Sequence, residues 1–264
     1  MRITELRVYP VKSFAGDPVE EAVVEPWGLQ GDRRWGLVDD AGEKVTARAV
    51  RAMLGLRAEQ VDEETVRIHD RHGGSILVDT PLGLPPVPVS HSRQGFAAPA
   101  DADVSRWISE RLGRPVRLVW QEDPTVRRVS GAHGGLEGDV LSLADAGPLL
   151  LTSETSLARL QEWVGTGPEL DMVRFRPNVV IDGAEAFAED TWRTVRLGEV
   201  DFRVTEVCDR CVMTTVDPVT LEGGPEPVAT LARHRRWEGK TWFGVRLVPL
   251  GEGVLRTGDG VMPQ

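Results

Sequence analysis

Cys208 and Cys211 are the only two cysteines in this chain of 264 residues, and they stand in C-x-x-C spacing within EVCDRCVMTTVDP, residues 206–218. That spacing could serve a metal, a redox disulfide, or no chemistry at all. Zinc takes four ligands, so two thiolates would need imidazoles from among His69, His72, His91, His133 and His234. The close pair HDRH, residues 69–72, lies far upstream. Thioredoxin-like exchange needs the first cysteine at a helix N-terminus, where the dipole favours the thiolate. Here the run VMTTV follows the pair, and its β-branched residues predict a strand in place of that helix. On spacing alone, two small apolar residues packed at a strand end remain the leading account.

Two cysteines and 41% hydrophobic residues describe a chain that folds around a core without disulfide staples, in a reducing compartment; a cytoplasmic location is expected. The N-terminal MRITELRVYPVKS lacks the apolar run of a signal peptide, and no segment approaches the roughly 20 apolar residues of a membrane span, so no membrane association is expected. A formal net charge of −10 disfavours a nucleic-acid footprint, which needs a basic face. Any anion bound must be small and locally held.

The elements that must position these residues are mostly strands. ITELRVYPV alternates as a half-buried strand, RRWGLVDDAGEKVTAR predicts a hairpin turning at Asp40, Ala41 and Gly42, and TVRIHDRHGGSILVD predicts a second. DADVSRWISERLG predicts a helix with Val104, Trp107, Ile108 and Leu112 on one face, an Asp cap and Gly113 as its stop. TSETSLARLQEWVG predicts another, with Leu157, Leu160, Trp163 and Val164 as its stripe. Strand patterns return in RPNVVIDG, WRTVRLGEVDFRVTEV and WFGVRLVPL. Residues 90–103 are the most linker-like, and the Gly-rich residues 123–140 predict a mobile loop at a pocket mouth, where His133 could meet substrate or only solvent.

VYPVKSFAG (residues 8–16), RFRPNVVIDG (174–183) and CDRCVMTTVDP (208–218), supported by GLQGDRRWGLVDDAGEKVTAR, LADAGPLLLTSETSLARL and the closing GDGV, resemble the MOSC family, named for the C-terminal domain of molybdenum cofactor sulfurase. The likeness is to its two-part members, which include the mitochondrial amidoxime-reducing component. It implies a mainly β, α+β fold of two packed β-barrel-like units: an N-terminal MOSC β-barrel domain over residues 1–122 and the MOSC domain over residues 123–264.

The resemblance also implies a cofactor, the molybdenum cofactor (molybdopterin with Mo), while pyridoxal phosphate is not expected. Cys211 falls on the family's molybdenum thiolate, a soft ligand suited to a soft metal; Cys208 is not carried over as a ligand. Asp145 falls on the acidic residue beside the metal, where it could relay a proton; without the resemblance it reads as a turn residue before Gly147 and Pro148. Lys12, Ser13, Arg33, Arg176 and Asn178 match cofactor contacts, and Arg210 with the backbone at Ala146 and Gly147 would complete the cradle. The family often has hydroxyl residues at those last two positions. Arg34 and Arg48 could enlarge the positive field or be solvated surface groups.

The implied activity is reduction of N-hydroxylated compounds such as amidoximes, hydroxylamines or N-hydroxylated bases. The alternatives are a sulfur carrier with a cysteine persulfide, a non-catalytic cofactor carrier, and a two-barrel module whose cysteine pair is structural. Two cysteines cannot hold an iron–sulfur cluster of four thiolates, and no G-x-G-x-x-G turn links a strand to a helix, so electrons are expected from a separate ferredoxin or flavin reductase.

Overall fold

Ile3, Leu6 and Val8 are the buried apolar residues of the first strand, Arg2–Val8, and the step of three between Ile3 and Leu6 marks a bulge in its pairing with Val179–Asp182. In the computed structural model, which describes residues 1–91 and 94–264, this pairing draws the N-terminus into a nine-stranded sheet built mainly from the second half of the chain. Across the sheet run Asp17–Val19, Arg2–Val8, Val179–Asp182, Leu149–Ser153, Lys240–Pro249, Val200–Asp209, Thr194–Leu197 and Val261–Pro263, with Arg236–Trp237 paired beside Lys240–Pro249. Leu149–Ser153 and Val179–Asp182 are parallel. Helix α2, Glu154–Val164, lies between them in sequence and supplies the crossover that parallel neighbours require. One core, including Leu6, Leu151, Ile181, Phe202 and Leu247, sits on this sheet.

A five-stranded sheet contains Trp35–Val38 and Arg117–Trp120 as antiparallel neighbours, and a meander of Arg57–Gln60, Thr65–His69 and Ser75–Asp79 contains the second expected hairpin. Helix α1, Ala102–Leu112, covers their common core with Val104, Trp107, Ile108 and Leu112. Asp101 accepts a hydrogen bond from the Asp103 N–H at its start, and Gly113 ends it with φ 65. Three open strand orders plus the meander give a mostly β, α+β fold with three helices; among the described residues no sheet closes into a barrel. No helix there is long and apolar enough to cross a membrane.

Three expectations need correction. VMTTV is not a strand: Val212–Thr215 forms a single 3-10 turn, because the hydroxyls of Thr214 and Thr215 donate back to the carbonyls of Cys211 (3.1 Å) and Val212 (2.8 Å) and make the tight turn self-sufficient. The linker-like residues 90–103 contain the strand Gly95–Pro99 and the start of α1, while Ser92 and Arg93 lie outside the described residues. A third helix, α3 over Val228–His234, was not foreseen; its one deeply buried apolar residue, Leu231, joins Leu160, Phe175 and Phe243 in a small core and leaves no periodic stripe to recognise.

Candidate functional site

A cleft of about 420 Å³ lies where the turns of the first half meet the loops of the second, and all ten expected site residues border it: Lys12, Ser13, Arg33, Asp145, Ala146, Gly147, Arg176, Asn178, Arg210 and Cys211. Its lining carries eight Lys or Arg residues against Asp145 and Asp209, in a chain whose net charge is −10. Ser13, Arg33 and Arg176 have φ of 73°, 51° and 57°. These are left-handed conformations that non-glycine residues adopt at a cost, and they cluster on this one cleft.

Arg33 is clamped from several sides. Its Nη1 donates to Asp32 Oδ2 (2.5 Å) and Asn178 Oδ1 (3.0 Å), its Nη2 donates to the Arg176 carbonyl (3.2 Å), and its guanidinium stacks on Tyr9. Asn178 is 1% exposed and spends its amide inside the protein: Nδ2 donates to Arg7 O and Asp32 Oδ1, while Oδ1 also accepts from the Leu150 N–H. Its present role is to orient Arg33. Arg176 differs, because its side chain makes no hydrogen bond or ion pair among the described residues, and its guanidinium lies over the Tyr9 ring. Burial, reinforced by the charge of Arg33, pushes its pKa down to about 10. A half-buried cation without a protein anion is a place for a ligand anion.

On the opposite wall Lys12 Nζ donates to Leu143 O (2.7 Å) and Asp145 Oδ1 (2.5 Å), and Arg48 approaches Asp145 Oδ2 at 3.6 Å. Lys12 holds the exposed Asp145 carboxyl well below the usual carboxylate range. Burial lowers the Lys12 ammonium, which Asp145 opposes. Asp145 is therefore a charged acceptor at neutral pH rather than a stored proton. The buried Arg127 holds the loop beneath it, donating to the carbonyls of Ser142, Ala144 (2.6 Å) and Asp145 (3.4 Å). Of the two undecided arginines, Arg48 borders the cleft, whereas Arg34 folds onto Trp120 and donates to Gln121 O.

The strand Val200–Asp209 delivers the cysteine pair. Cys208 is buried and Cys211 exposed, and both are free thiols. Arg210, between them, donates through Nη1 to Cys208 Sγ (2.9 Å) and through Nη2 to Phe175 O (2.5 Å), so Cys208 anchors an arginine instead of merely filling space. No group of three or more His, Cys, Asp or Glu among the described residues is placed to hold a metal ion, which leaves zinc without a ligand set. Residues 123–140 are tied to the sheet: Arg203 donates to Gly134 O (2.8 Å) and pairs with Asp139, and His133 Nδ1 meets Glu206 Oε1 at 2.7 Å.

Several cleft residues escaped the sequence. Arg246 pairs with Glu206 and Asp209; burial lowers its pKa, but the neighbouring Cys208 together with Asp209 and Glu206 outweighs burial and raises it. Its signal was a lone cation inside the apolar run WFGVRLVPL. At Gly147 a Cβ would lie 3.0 Å from the Arg246 Cβ, so glycine admits this arginine to the wall where a hydroxyl residue would crowd it. Arg174 pairs with Asp217 at 2.5 Å, and Tyr9 and Asp32, both inside the quoted motifs, form the scaffold behind Arg33.

Two family models match successive stretches of the chain. The "MOSC N-terminal beta barrel domain" matches residues 1–115 and the "MOSC domain" residues 138–262. The human mitochondrial amidoxime-reducing component 1 is 30% identical over 98% of this chain and 82% of its own length. The chain belongs to the MOSC family. Molybdenum cofactor sulfurase of Oryza sativa subsp. japonica is 31% identical over 94% of this MOSC chain, which spans only 32% of that longer relative. A YuaD protein of Bacillus subtilis with a crystal structure aligns at a TM-score of 0.47 and 11% identity, covering 98% of this chain and 93% of the other.

Proposed function

We propose that this MOSC protein binds the molybdenum cofactor in the basic cleft and reduces N-hydroxylated small molecules such as amidoximes, hydroxylamines or N-hydroxylated bases. The observation that carries this is the exposed Cys211 thiol opening into a cleft of eight cations in an acidic chain. The donor set fits a phosphorylated pterin. Among the described residues Arg176 has no paired carboxylate, and the buried Nε atoms of Arg174 and Arg210 have no hydrogen-bond partner.

Arg176, Arg33 and Lys12 would hold the anionic end, with Ser13, Arg210 and the backbone of Ala146 and Gly147 around it, and Cys211 would ligate molybdenum. The bound centre would supply two-electron reduction at the N–O group. The protein's part is to keep Arg33 and Arg176 preorganised, to hold a proton on Lys12 Nζ beside the charged Asp145 Oδ1, and to present that pair at the cleft. Asp145, ionised, assists proton delivery by keeping Lys12 charged beside it and stores no proton of its own.

We read residues 1–122 and 123–264 as the two barrel-derived units, and the free thiols fit a cytoplasmic setting. A second account, a persulfide carrier, draws on the same exposed Cys211. Elemental analysis of protein purified from a cofactor-producing cell separates them: stoichiometric molybdenum supports the reductase, and cyanide-labile sulfur without molybdenum supports the carrier.

A further inference from the structure

Tyr9 is fully buried behind the cleft wall, and two guanidinium groups lie against its single ring, Arg33 Cζ 4.6 Å and Arg176 Cζ 4.4 Å from the centroid. Its hydroxyl is buried with no hydrogen-bond partner among the described residues, so the ring and not the polar tip is what the site uses. The backbone of Tyr9 belongs to the same group: its N–H donates to Asp32 Oδ1 (2.9 Å), and its carbonyl accepts from the Arg33 N–H (2.8 Å). A Cβ at Gly16 would lie 2.7 Å from the ring, so glycine lets the ring seat here. Two like charges in a wall shielded from water repel one another. Asp32 balances Arg33, but no carboxylate pairs with Arg176 among the described residues.

We propose, resting on the anion-binding role given to the cleft above, that Tyr9 is a positioning residue whose ring holds both Arg33 and Arg176 at the cleft wall so that one small dianion meets both. The negative face of an aromatic ring attracts cations without neutralising them, which a carboxylate in the same place would do. Arg176 therefore keeps its charge for a ligand, beside an Arg33 that Asp32 already holds in place. Because the ring adds no hydrogen bond of its own, its contribution depends on its quadrupole.

The test titrates sulfate, a dianion from about pH 7 to about pH 11, into the purified full chain by calorimetry, using wild type, Tyr9→Phe, Tyr9→Leu and a protein with pentafluorophenylalanine in place of Tyr9. Tyr9→Phe should bind as wild type does. Tyr9→Leu and the fluorinated protein should bind on the order of tenfold more weakly. Their alkaline loss of binding should also move to lower pH, because Arg176, with Arg33, Asp32 and Asp145 as its charged neighbours, loses the ring's attraction for its cation. Phe202→Leu, which removes a buried ring from the other core, should lower thermal stability without changing sulfate affinity. Should Tyr9→Leu fail to fold, the fluorinated protein decides, since its shape is nearly that of phenylalanine. Absence of sulfate binding by wild type would bring down the anion cleft and Tyr9's role with it. Wild-type affinity and an unmoved alkaline limb in the fluorinated protein would leave the cleft standing and reduce Tyr9 to core packing.

Discussion

Lys12 Nζ sits 2.5 Å from Asp145 Oδ1, joining two residues 133 positions apart across the seam between the halves of the chain. The pair fixes the first half's turn against the second half's loop at the place where the cofactor is proposed to bind. Lys12→Ala removes a charge-assisted contact of about 1.5–3 kcal/mol, so cofactor retained through purification should fall about ten- to a hundredfold, measured by mass spectrometry of released pterin. With the cation gone, the Asp145 carboxyl should titrate closer to the ordinary range, which carboxyl NMR of labelled aspartate can follow.

The two cysteines should behave differently. Cys211→Ser replaces the exposed thiol with a weak hydroxyl ligand and should abolish molybdenum content. Cys208→Ser should keep the metal but loosen Arg210, appearing as weaker cofactor retention with at least partial activity. Equal loss of metal in both, with a disulfide in the active protein, would restore the dithiol account.

Arg246 is 8% exposed and paired with both Glu206 and Asp209. Arg246→Met leaves two carboxylates without their shared cation and should destabilise the protein by about 3–5 kcal/mol, read from urea unfolding. It should also weaken cofactor retention, since the cleft loses a cation while Asp209 stays. A double variant, Glu206→Gln with Arg246→Met, should recover part of the stability; if it recovers none, the ion pairs are not the cause.

Glu189 is fully buried, accepts from Ser156 Oγ at 2.8 Å, and leaves Oε2 without a hydrogen-bond partner among the described residues. Burial pushes its pKa up to about 7. A raised carboxyl binds its proton more tightly when folded, so stability should be greatest below the unfolded value near 4.3, decline as pH rises, and level off above about 7. Glu189→Gln should therefore raise the melting temperature at about pH 8 and change it little at about pH 4.5. An equal shift at both values would rule out titration of Glu189 as the source.

Electrons should come from a separate protein. Cofactor-loaded protein mixed with NADH and an amidoxime should be inactive, and a reduced viologen dye, a ferredoxin or a flavin reductase should start turnover. Sustained activity with NADH alone would contradict this.

Local chemistry made much of this molecule legible. Asp101 and Gly113 bracket α1 because a capping carboxylate and a residue free to take positive φ are needed at fixed positions. The turn after Cys211 misled, because the β-branched threonines that favour a strand bond their own preceding carbonyls instead. Arg246 and Tyr9 were hidden for a different reason. Each looks like an ordinary member of a strand or motif until residues from distant segments supply its partners, Glu206 across a neighbouring strand and Arg176 from a loop far along the chain. Asn178 was found in place, but its spent hydrogen bonds could be seen only once Arg7 and Leu150 stood beside it.

The pairing of Leu6 with Val179 also sets an order of events during synthesis. At about 5–20 residues per second, a ribosome delivers the partner strand about 10–35 s after the first strand has emerged. Throughout that interval the nascent chain carries an unpaired strand edge, while Val11 can already bridge to Trp35 and Ala15 to Arg57. The Lys12 and Arg33 side of the cradle can thus take shape while Cys211 and Arg246 are still untranslated. On the reading proposed above, a cofactor arriving in that window would find half a grip, and the full cleft, Arg246 included, would exist only after Lys240–Pro249 has left the exit tunnel.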